Sequence, residues 1–326
     1  MTLNVRLATF NIENLDDNVH AKPPFSARLP VLQRALQRLN ADLLCLQEVN
    51  SMTALDKVIH GTQYESYFRA ATDNDAVKNH GMAQNDVLLS RFPILESKPI
   101  PPQPDQFPLY RLLTAQPPAV QAQEIGWTRA LLTATVQLTD TLKLHVISCH
   151  LKSKLPYEIP GQTEPAPGQK QFKRWKSAGA WAEGAFISSM LRMGQAAVLR
   201  NAVDAWFDQE GENALIAVCG DFNSTVEDVP VEAIRGQVEN LENTALAYRS
   251  LTPCEQTIPE PARYSLLYHG KGEMIDHILI SRQLLAYYRA VEIHNEVLHD
   301  KSSAFVTIRD FPESDHAPVV ATFGFA

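Results

Sequence analysis

The chain has 326 residues, 45% of them hydrophobic, enough for one large core or two ordinary ones. No apolar run approaches the roughly 20 residues of a membrane span. Met1 to Phe10 lacks the basic start and apolar segment of a signal peptide, which points to a cytoplasmic protein. A formal charge of −8, from 37 acids against 29 bases, argues against broad affinity for duplex DNA, which needs many cationic phosphate contacts. It does not exclude an enzyme that meets one phosphate at a local cluster.

Leu3 to Phe10 predicts a strand leading into Asn11-Ile12-Glu13-Asn14. After a proline-rich loop, Ser26 is placed to cap a helix whose Leu29, Leu32, Ala35, Leu36 and Leu39 recur at helical spacing. Asp42 to Leu46 is a short buried strand ending in Gln47-Glu48, and residues 63–70 and 85–90 look like further strands. Prolines cluster between Lys98 and Gln123, which marks a surface excursion over about 99–123. Trp127 to Leu138 and Leu142 to Cys149 predict a hairpin that ends at His150-Leu151-Lys152-Ser153-Lys154. A second Pro/Gly-rich loop covers 156–168. A helical pattern follows over about 170–209, where Gly179, Gly184 and Gly194 argue against one continuous helix.

Asn213 to Val218 is an apolar run of buried-strand type, broken by Gly220. Strands are expected at 263–268, 273–281, 288–297 and 317–325. Short strands mixed with a few helices, with no repeat and no break in composition, imply a single α/β domain over 1–326, sheet on sheet with helices outside. Cys45, Cys149, Cys219 and Cys254 are too few and too scattered for a disulfide scaffold or a zinc cluster, and three lie in apolar strand-like runs.

The chemistry sits at strand ends. Asp221 and Asn223 are two apart after a buried strand, so on an extended segment they project together. The carboxylate can take a proton or bind a hard cation, and the carboxamide can donate to the same oxygen. Alone, the pair could equally be an Asx-turn. Similar clusters mark other strands: Asn11 with Glu13, Glu48, and His150 with Lys152 and Lys154 follow theirs, Asp276-His277 lies inside Met274 to Ser281, and Ser314-Asp315-His316 precedes the last. Carboxylates, Asn and His without a cysteine ligand set suit an oxygen-ligand cation, Mg²⁺ or Mn²⁺, better than zinc.

Thr9-Phe10-Asn11-Ile12-Glu13-Asn14-Leu15, Leu46-Gln47-Glu48-Val49, Gly220-Asp221-Phe222-Asn223-Ser224, Met274-Ile275-Asp276-His277-Ile278-Leu279-Ile280-Ser281 and Ser314-Asp315-His316-Ala317-Pro318-Val319 resemble, in order, the motifs of the endonuclease/exonuclease/phosphatase superfamily. The resemblance runs from residue 9 to 319 and extends to bacterial nuclease-like members. It implies a four-layer αββα sandwich of the DNase I-like kind, two packed mixed β-sheets flanked by helices, with the site at one end. It also implies roles. Glu48 would be the Mg²⁺ ligand, Asn11 would orient it or help hold the metal, and Asp315 would sit beside the metal. Asp221 would position or deprotonate the attacking water, and Asn223 would donate to the phosphate. His316, fixed by Asp276, would meet a phosphate oxygen. His150 would be a second phosphate contact or a proton donor to the leaving oxygen.

Some positions depart from the pattern. Glu13 stands where several relatives have Asp or Asn. The His-Leu-Lys-Ser-Lys run resembles only a bacterial subset, and there Lys152 faces the same way as His150 and is expected to touch substrate phosphate. Asn85 or Asp86 could orient His150. Arg192 and Gln195 share a face of the expected helix, placed either to reach toward the site or, as the preferred reading, as an exposed surface pair. His80, His145, His269 and His294 read as structural or solvent-facing.

The implied activity is divalent-metal-dependent hydrolysis of a phosphate ester, first as a nuclease or phosphodiesterase on nucleic acid or a nucleotide. Trp127, Trp175, Trp181, Tyr157 and Phe172 offer stacking surfaces, and Lys170, Lys173, Arg174 and Lys176 a basic patch. A phosphatase on a sugar, inositol or lipid phosphate is the alternative. Against the inositol case, the chain has Met-Ile-Asp-His where that group resembles Trp-Cys-Asp-Arg. An inactive binding module is a third reading, although every core position of the site is filled.

Overall fold

The protein is described here from a computed structural model, covering residues 3–72, 84–101, 109–126, 129–166, 169–302 and 310–325, with the backbone alone at 169–172. His80, Trp127 and the side chains of Lys170 and Phe172 lie outside the described part.

The strands are β1 (Leu3–Leu15), β2 (Leu43–Val49), β3 (Phe68–Ala71), β4 (Asn85–Ser90), β5 (Ile94–Ile100), β6 (Leu131–Gln137), β7 (Lys143–His150), β8 (Thr163–Ala166), β9 (Gln169–Trp175), β10 (Ile216–Asp221), β11 (Leu251–Pro253), β12 (Leu266–Tyr268), β13 (Lys271–Glu273), β14 (Asp276–Ser281), β15 (Tyr288–Ile293) and β16 (Val319–Phe325). One sheet has the order β15-β16-β1-β2-β4-β3 and the other β11-β14-β10-β7-β6-β5. The outer layers include α1 (Phe25–Leu39) and α2 (Met52–Ile59) on the first sheet, and α3 (Ala178–Glu210) and α4 (Val229–Arg235) on the second.

The period of two along each strand builds the layers. On β1, Val5 and Leu7 point into the core between the sheets, whereas Ala8, Phe10 and Ile12 pack with Leu32, Leu36 and Leu39 of α1. On β10, Ala217 and Cys219 enter the same central core, whereas Ile216 and Val218 pack with Leu199 and Val203 of α3. Strands buried on both faces read as unbroken apolar runs, which is why they stand out in the sequence.

Strand direction decides where the polar ends gather. β1 runs parallel to β2 and antiparallel to β16, and β2 runs antiparallel to β4. In the other sheet β10 runs parallel to β7 and antiparallel to β14, with Asp221 opposite both His150 and Asp276. The C-terminal ends of β1, β2, β7 and β10 therefore meet the N-terminal ends of β14 and β16. Gly220 makes the β7–β10 approach possible: at φ +147° a Cβ there would lie 1.8 Å from the Cys149 carbonyl oxygen.

Several boundaries differ from expectation. Pro24, not Ser26, precedes α1, and Ser26 lies inside its first turn with no capping bond. Gln63–Ser66 is a 3₁₀ turn ahead of β3. Thr163–Ala166 and Gln169–Trp175, expected as loop and helix start, pair as antiparallel strands β8 and β9, and the helix begins only at Ala178, capped by Ser177. α3 then runs unbroken through its glycines. Gly184 is there for close approach: its carbonyl accepts the Tyr157 N–H at 2.9 Å, and a Cβ would come within 2.4 Å of the Tyr157 oxygen.

The proline-rich excursion is not wholly on the surface. Leu112 and Ala115 within it, and Ile125 just after it, are buried in the cluster that includes α3. The Glu183 carboxylate holds the excursion by accepting from the backbone N–H groups of Leu113 and Thr114. Among the described residues no helix is long and apolar enough to cross a membrane.

Candidate active site

The strand-end clusters meet at one mouth of the sandwich. Asn11 bridges the two sheets: its Nδ2 donates to Glu48 Oε1 at 3.2 Å and to Asp221 Oδ2 at 3.0 Å. The other Glu48 oxygen accepts the Asn14 N–H at 2.9 Å. His150 Nε2 faces both acids, 3.7 Å from Glu48 Oε1 and 3.4 Å from Asp221 Oδ2. His316 Nδ1 lies 2.8 Å from Asp276 Oδ2, and its Nε2 stands 3.8 Å from both Asp221 Oδ2 and Asp315 Oδ1. Each of the residues expected to act in chemistry or metal binding is therefore within one contact of another.

The protein spends buried hydrogen bonds on holding these groups. Ser314 Oγ donates to the Asn11 carbonyl at 2.7 Å and accepts the His316 N–H at 3.1 Å. Ser265 Oγ accepts from the backbone N–H groups of Ile275 and Asp276, and the Ser265 carbonyl accepts the Ala317 N–H at 2.7 Å. That clamps the segment bearing Asp276 to the one bearing His316. The backbone N–H of Asn223 donates to Asp221 Oδ1 at 2.8 Å, and its carboxamide donates to the Leu151 carbonyl at 3.1 Å. One carboxamide N–H of Asn223 is therefore already committed to the loop after His150.

Charge is set by position. Burial alone would discharge His316, but Asp276, Asp221 and Asp315 outweigh it and hold the imidazolium well above the ordinary histidine range. Burial pushes the Asp221 carboxyl up to about 6 against the pull of His316. Burial and then Asp315 push Glu13 up to about 7. Burial also acts on Asp315, yet His316 and Lys301 prevail and lower its carboxyl. His150 goes the other way: burial, then Arg129 and His316, keep its ring neutral well below the usual range. It therefore suits hydrogen bonding to a phosphate better than acting as an imidazolium acid.

Metal-ligand geometry is split between two places. Ligand atoms of Asp221, Asp276 and His316 all lie within 4.8 Å of one another. Of the ligands the resemblance implies, Glu48 is joined to this set through Asn11, and Asp315 through His316. The first set is the poorer cation site, because a protonated His316 offers N–H rather than a lone pair. Glu48 offers carboxylate oxygens, which suit a hard cation, while Asn11 turns its N–H toward Glu48 and its Oδ1 accepts the Glu13 N–H at 3.0 Å, the arrangement of a residue that orients the ligand. Asp276 Oδ1 is buried without a hydrogen-bond partner among the described residues.

Other expected residues take different parts. Lys152 turns its ammonium onto its own loop, donating to the Ser153 and Leu155 carbonyls at 3.3 and 3.1 Å, and burial brings its amine down to about 8. Lys154 pairs with Asp228 and Glu273. Glu13 supports the loop, accepting the Asp315 N–H at 3.0 Å. Neither Asn85 nor Asp86 orients His150, whose Nδ1 has no hydrogen-bond partner among the described residues. Arg192 and Gln195 are buried, not exposed, and clamp the loop after His150: Gln195 Oε1 accepts the Lys152 N–H at 2.7 Å and Arg192 donates to the Lys152 carbonyl at 3.0 Å. His145 is structural, stacked on Trp206 and bonded to Glu210. In the basic patch, Lys173 pairs with Glu158 and Arg174 with Glu164, exposed contacts that solvent screens.

Three cations were not anticipated. Arg28 reaches from α1 to the carbonyls of Ile12 and Glu13, both at 2.6 Å. Arg129 is buried against Gln84 and the Leu151 carbonyl. Lys301 Nζ lies 2.6 Å from Asp315 Oδ2. A charged residue inside an apolar helix face or heading an apolar strand was a usable signal for the first two; Lys301 has none in sequence.

Comparison with known proteins agrees with the fold. Among curated proteins none matches significantly. The fold is that of truncated Caenorhabditis elegans TDP2 (TM-score 0.56, 16% identity, 99% of this chain and 98% of that one). It is also that of D. rerio TDP2 complexed with single strand DNA product (0.54, 17%, 98% of each), and of an endonuclease/exonuclease/phosphatase family protein from Bacteroides thetaiotaomicron (0.56, 14%, 100% and 96%). The family model described as Endonuclease/Exonuclease/phosphatase family matches residues 8–316, and with both sheets and all five motif segments accounted for, the chain belongs to that family.

Proposed function

We propose that this protein is a divalent-metal-dependent phosphodiesterase acting on nucleic acid or a nucleotide through in-line attack of water on phosphorus. The observation that carries the proposal is the Asn11 bridge: one carboxamide ties Glu48 of the first sheet to Asp221 of the second, with the His316 imidazolium facing the same Asp221. A would-be cation ligand, a proton acceptor and a phosphate-charge donor thus share one opening.

Glu48, with Asn11 and Asp315 beside it, would hold Mg²⁺ or Mn²⁺, which when bound neutralises charge on the phosphate. Asp221 orients and deprotonates the attacking water. His316 donates from Nε2 to a phosphate oxygen, with Asp276 fixing its tautomer through Nδ1. Asn223 and the neutral His150 add hydrogen bonds around the same phosphorus. Catalysis is then mostly positioning and preorganised charge.

The fold relative from D. rerio holds a single-stranded DNA product, which makes a diester the first substrate to test. The test is release of nucleotides from single- and double-stranded DNA and RNA, set against release of phosphate from small monoesters. Diester cleavage is expected to dominate. Monoester turnover alone would favour a phosphatase, and no turnover of either class would leave a binding module.

The pH profile gives a second check. The Asp221 carboxyl is pushed up to about 6, so the water-activating carboxylate is lost as pH falls through that value. We expect kcat/KM to drop about tenfold per pH unit below it. A profile flat down to about pH 5 would remove Asp221 from that role.

A further inference from the structure

Adjacent residues on a strand point to opposite faces, and at the head of β14 this serves two motif segments at once. Asp276 turns to His316. His277 shares its face with Leu279, which packs in the outer layer with α3. Its ring meets that of Phe222 in a T, with centroids 5.1 Å apart and planes at 85°. There Nδ1 is bonded to Glu255 Oε1, and Nε2 lies 2.9 Å from the Ser224 carbonyl oxygen. Both ring nitrogens face acceptors, so both carry protons and the ring is an imidazolium. Burial acts against that charge, but Glu255 prevails and raises the ring above the ordinary histidine range.

His277 is completely buried and Glu255 is 2% exposed. Such a pair adds little stability, because the loss of hydration offsets the attraction. What the pair reaches is the turn that bears the chemistry. Asn223 has a left-handed backbone, φ +49°, uncommon for a residue with a side chain, and its N–H donates to Asp221 Oδ1. The 275–277 segment fastens this turn at two points. The Ile275 carbonyl accepts the Phe222 N–H at 2.8 Å, and His277 donates to the Ser224 carbonyl. Ser224 Oγ is buried and has no hydrogen-bond partner among the described residues. Glu255 itself comes from the 3₁₀ turn Cys254–Thr257, outside every motif segment.

We propose that His277, backed by Glu255, is a positioning residue for phosphodiester hydrolysis: by holding the Ser224 carbonyl it fixes the turn that aims the Asp221 carboxylate and the Asn223 carboxamide. This rests on the phosphodiesterase reading above. His277 touches no reacting atom and acts only through the turn. Removing the pair therefore slows a protein that stays folded, whereas a purely structural pair would cost stability and leave the rate of the folded protein alone.

The experiment compares the full-length wild type with two double variants. His277→Leu with Glu255→Leu removes the pair without leaving a buried charge, and His277→Gln with Glu255→Gln keeps an uncharged N–H within reach of Ser224. Each is followed by thermal melt, by steady-state hydrolysis of a phosphodiester reporter and by amide hydrogen exchange at Asn223. The leucine pair is expected to melt close to wild type, since apolar replacement of a buried ion pair is often neutral or stabilising. Its Asn223 N–H should exchange about tenfold faster or more. Its kcat should fall by about tenfold to a hundredfold with KM within about twofold, as expected of misplaced groups. The glutamine pair should recover most of the rate and slow the exchange again. An unfolded leucine pair, or unchanged exchange or kcat in a folded one, would overturn the proposal and leave the phosphodiesterase reading standing. No turnover of any phosphodiester by wild type would overturn that reading, and exchange at Asn223 would then decide alone whether the pair holds the turn.

Discussion

Asp221→Asn is expected to reduce turnover by on the order of a hundredfold to ten-thousandfold, the span that a positioned proton acceptor contributes, while the protein stays folded. The substitution keeps the shape of the side chain, so no cavity opens beneath Phe222 and Cys219. It does alter the hydrogen bonding. Asp221 accepts from Asn11 Nδ2 through one oxygen and from the Asn223 N–H through the other. An asparagine offers one oxygen, so one donor is left facing an amide N–H, at a cost of about 1–3 kcal/mol. Relief of a buried carboxylate offsets part of that. Steady-state rates and a thermal melt, measured together, distinguish loss of chemistry from loss of structure. Near-normal rates in a folded variant would remove Asp221 from the mechanism.

His316→Ala is expected to lose at least about a hundredfold in rate, as removal of one charge-stabilising donor does elsewhere, and to lose more stability than Asp221→Asn. The reason is the partner left behind. Asp276 is fully buried, its Oδ2 is bonded to His316 Nδ1, and its Oδ1 has no hydrogen-bond partner among the described residues. Taking away the imidazolium leaves an uncompensated buried carboxylate, and breaking such a pair costs about 3–5 kcal/mol. A further change of Asp276 to Asn should then recover stability without recovering rate, because the two side chains act as one unit. If Asp276→Asn alone left activity unchanged, the pairing would be structural only.

The sequence was legible where one residue's chemistry and its strand position agreed. Asp221 with Asn223, Glu48, and the Asp315-His316 pair each close or open an apolar run, and the registers bring Asp221 opposite both His150 and Asp276. Long-range partners were not legible. Glu183 holds a loop 69–70 residues earlier in the chain, and Ser265 joins two segments that share no local pattern. Gly184 misled for a physical reason: propensity counts a helical glycine as weakness, whereas here the missing Cβ admits the Tyr157 carbonyl. The basic 170–176 stretch misled because a hairpin and a helix start can share one composition. Arg192 and Gln195 have helical spacing whether they face water or a loop, and only the packing of the 151–157 segment on α3 buries them.

The most direct test of the account is hydrolysis of a phosphodiester reporter by chelator-treated protein as Mg²⁺ or Mn²⁺ is returned, in wild type and in Glu48→Gln. The account predicts no turnover in chelator, saturable recovery in wild type, and no recovery in Glu48→Gln over the same range of added ion. Turnover undiminished by the chelator, or the same metal dependence in both proteins, would contradict it.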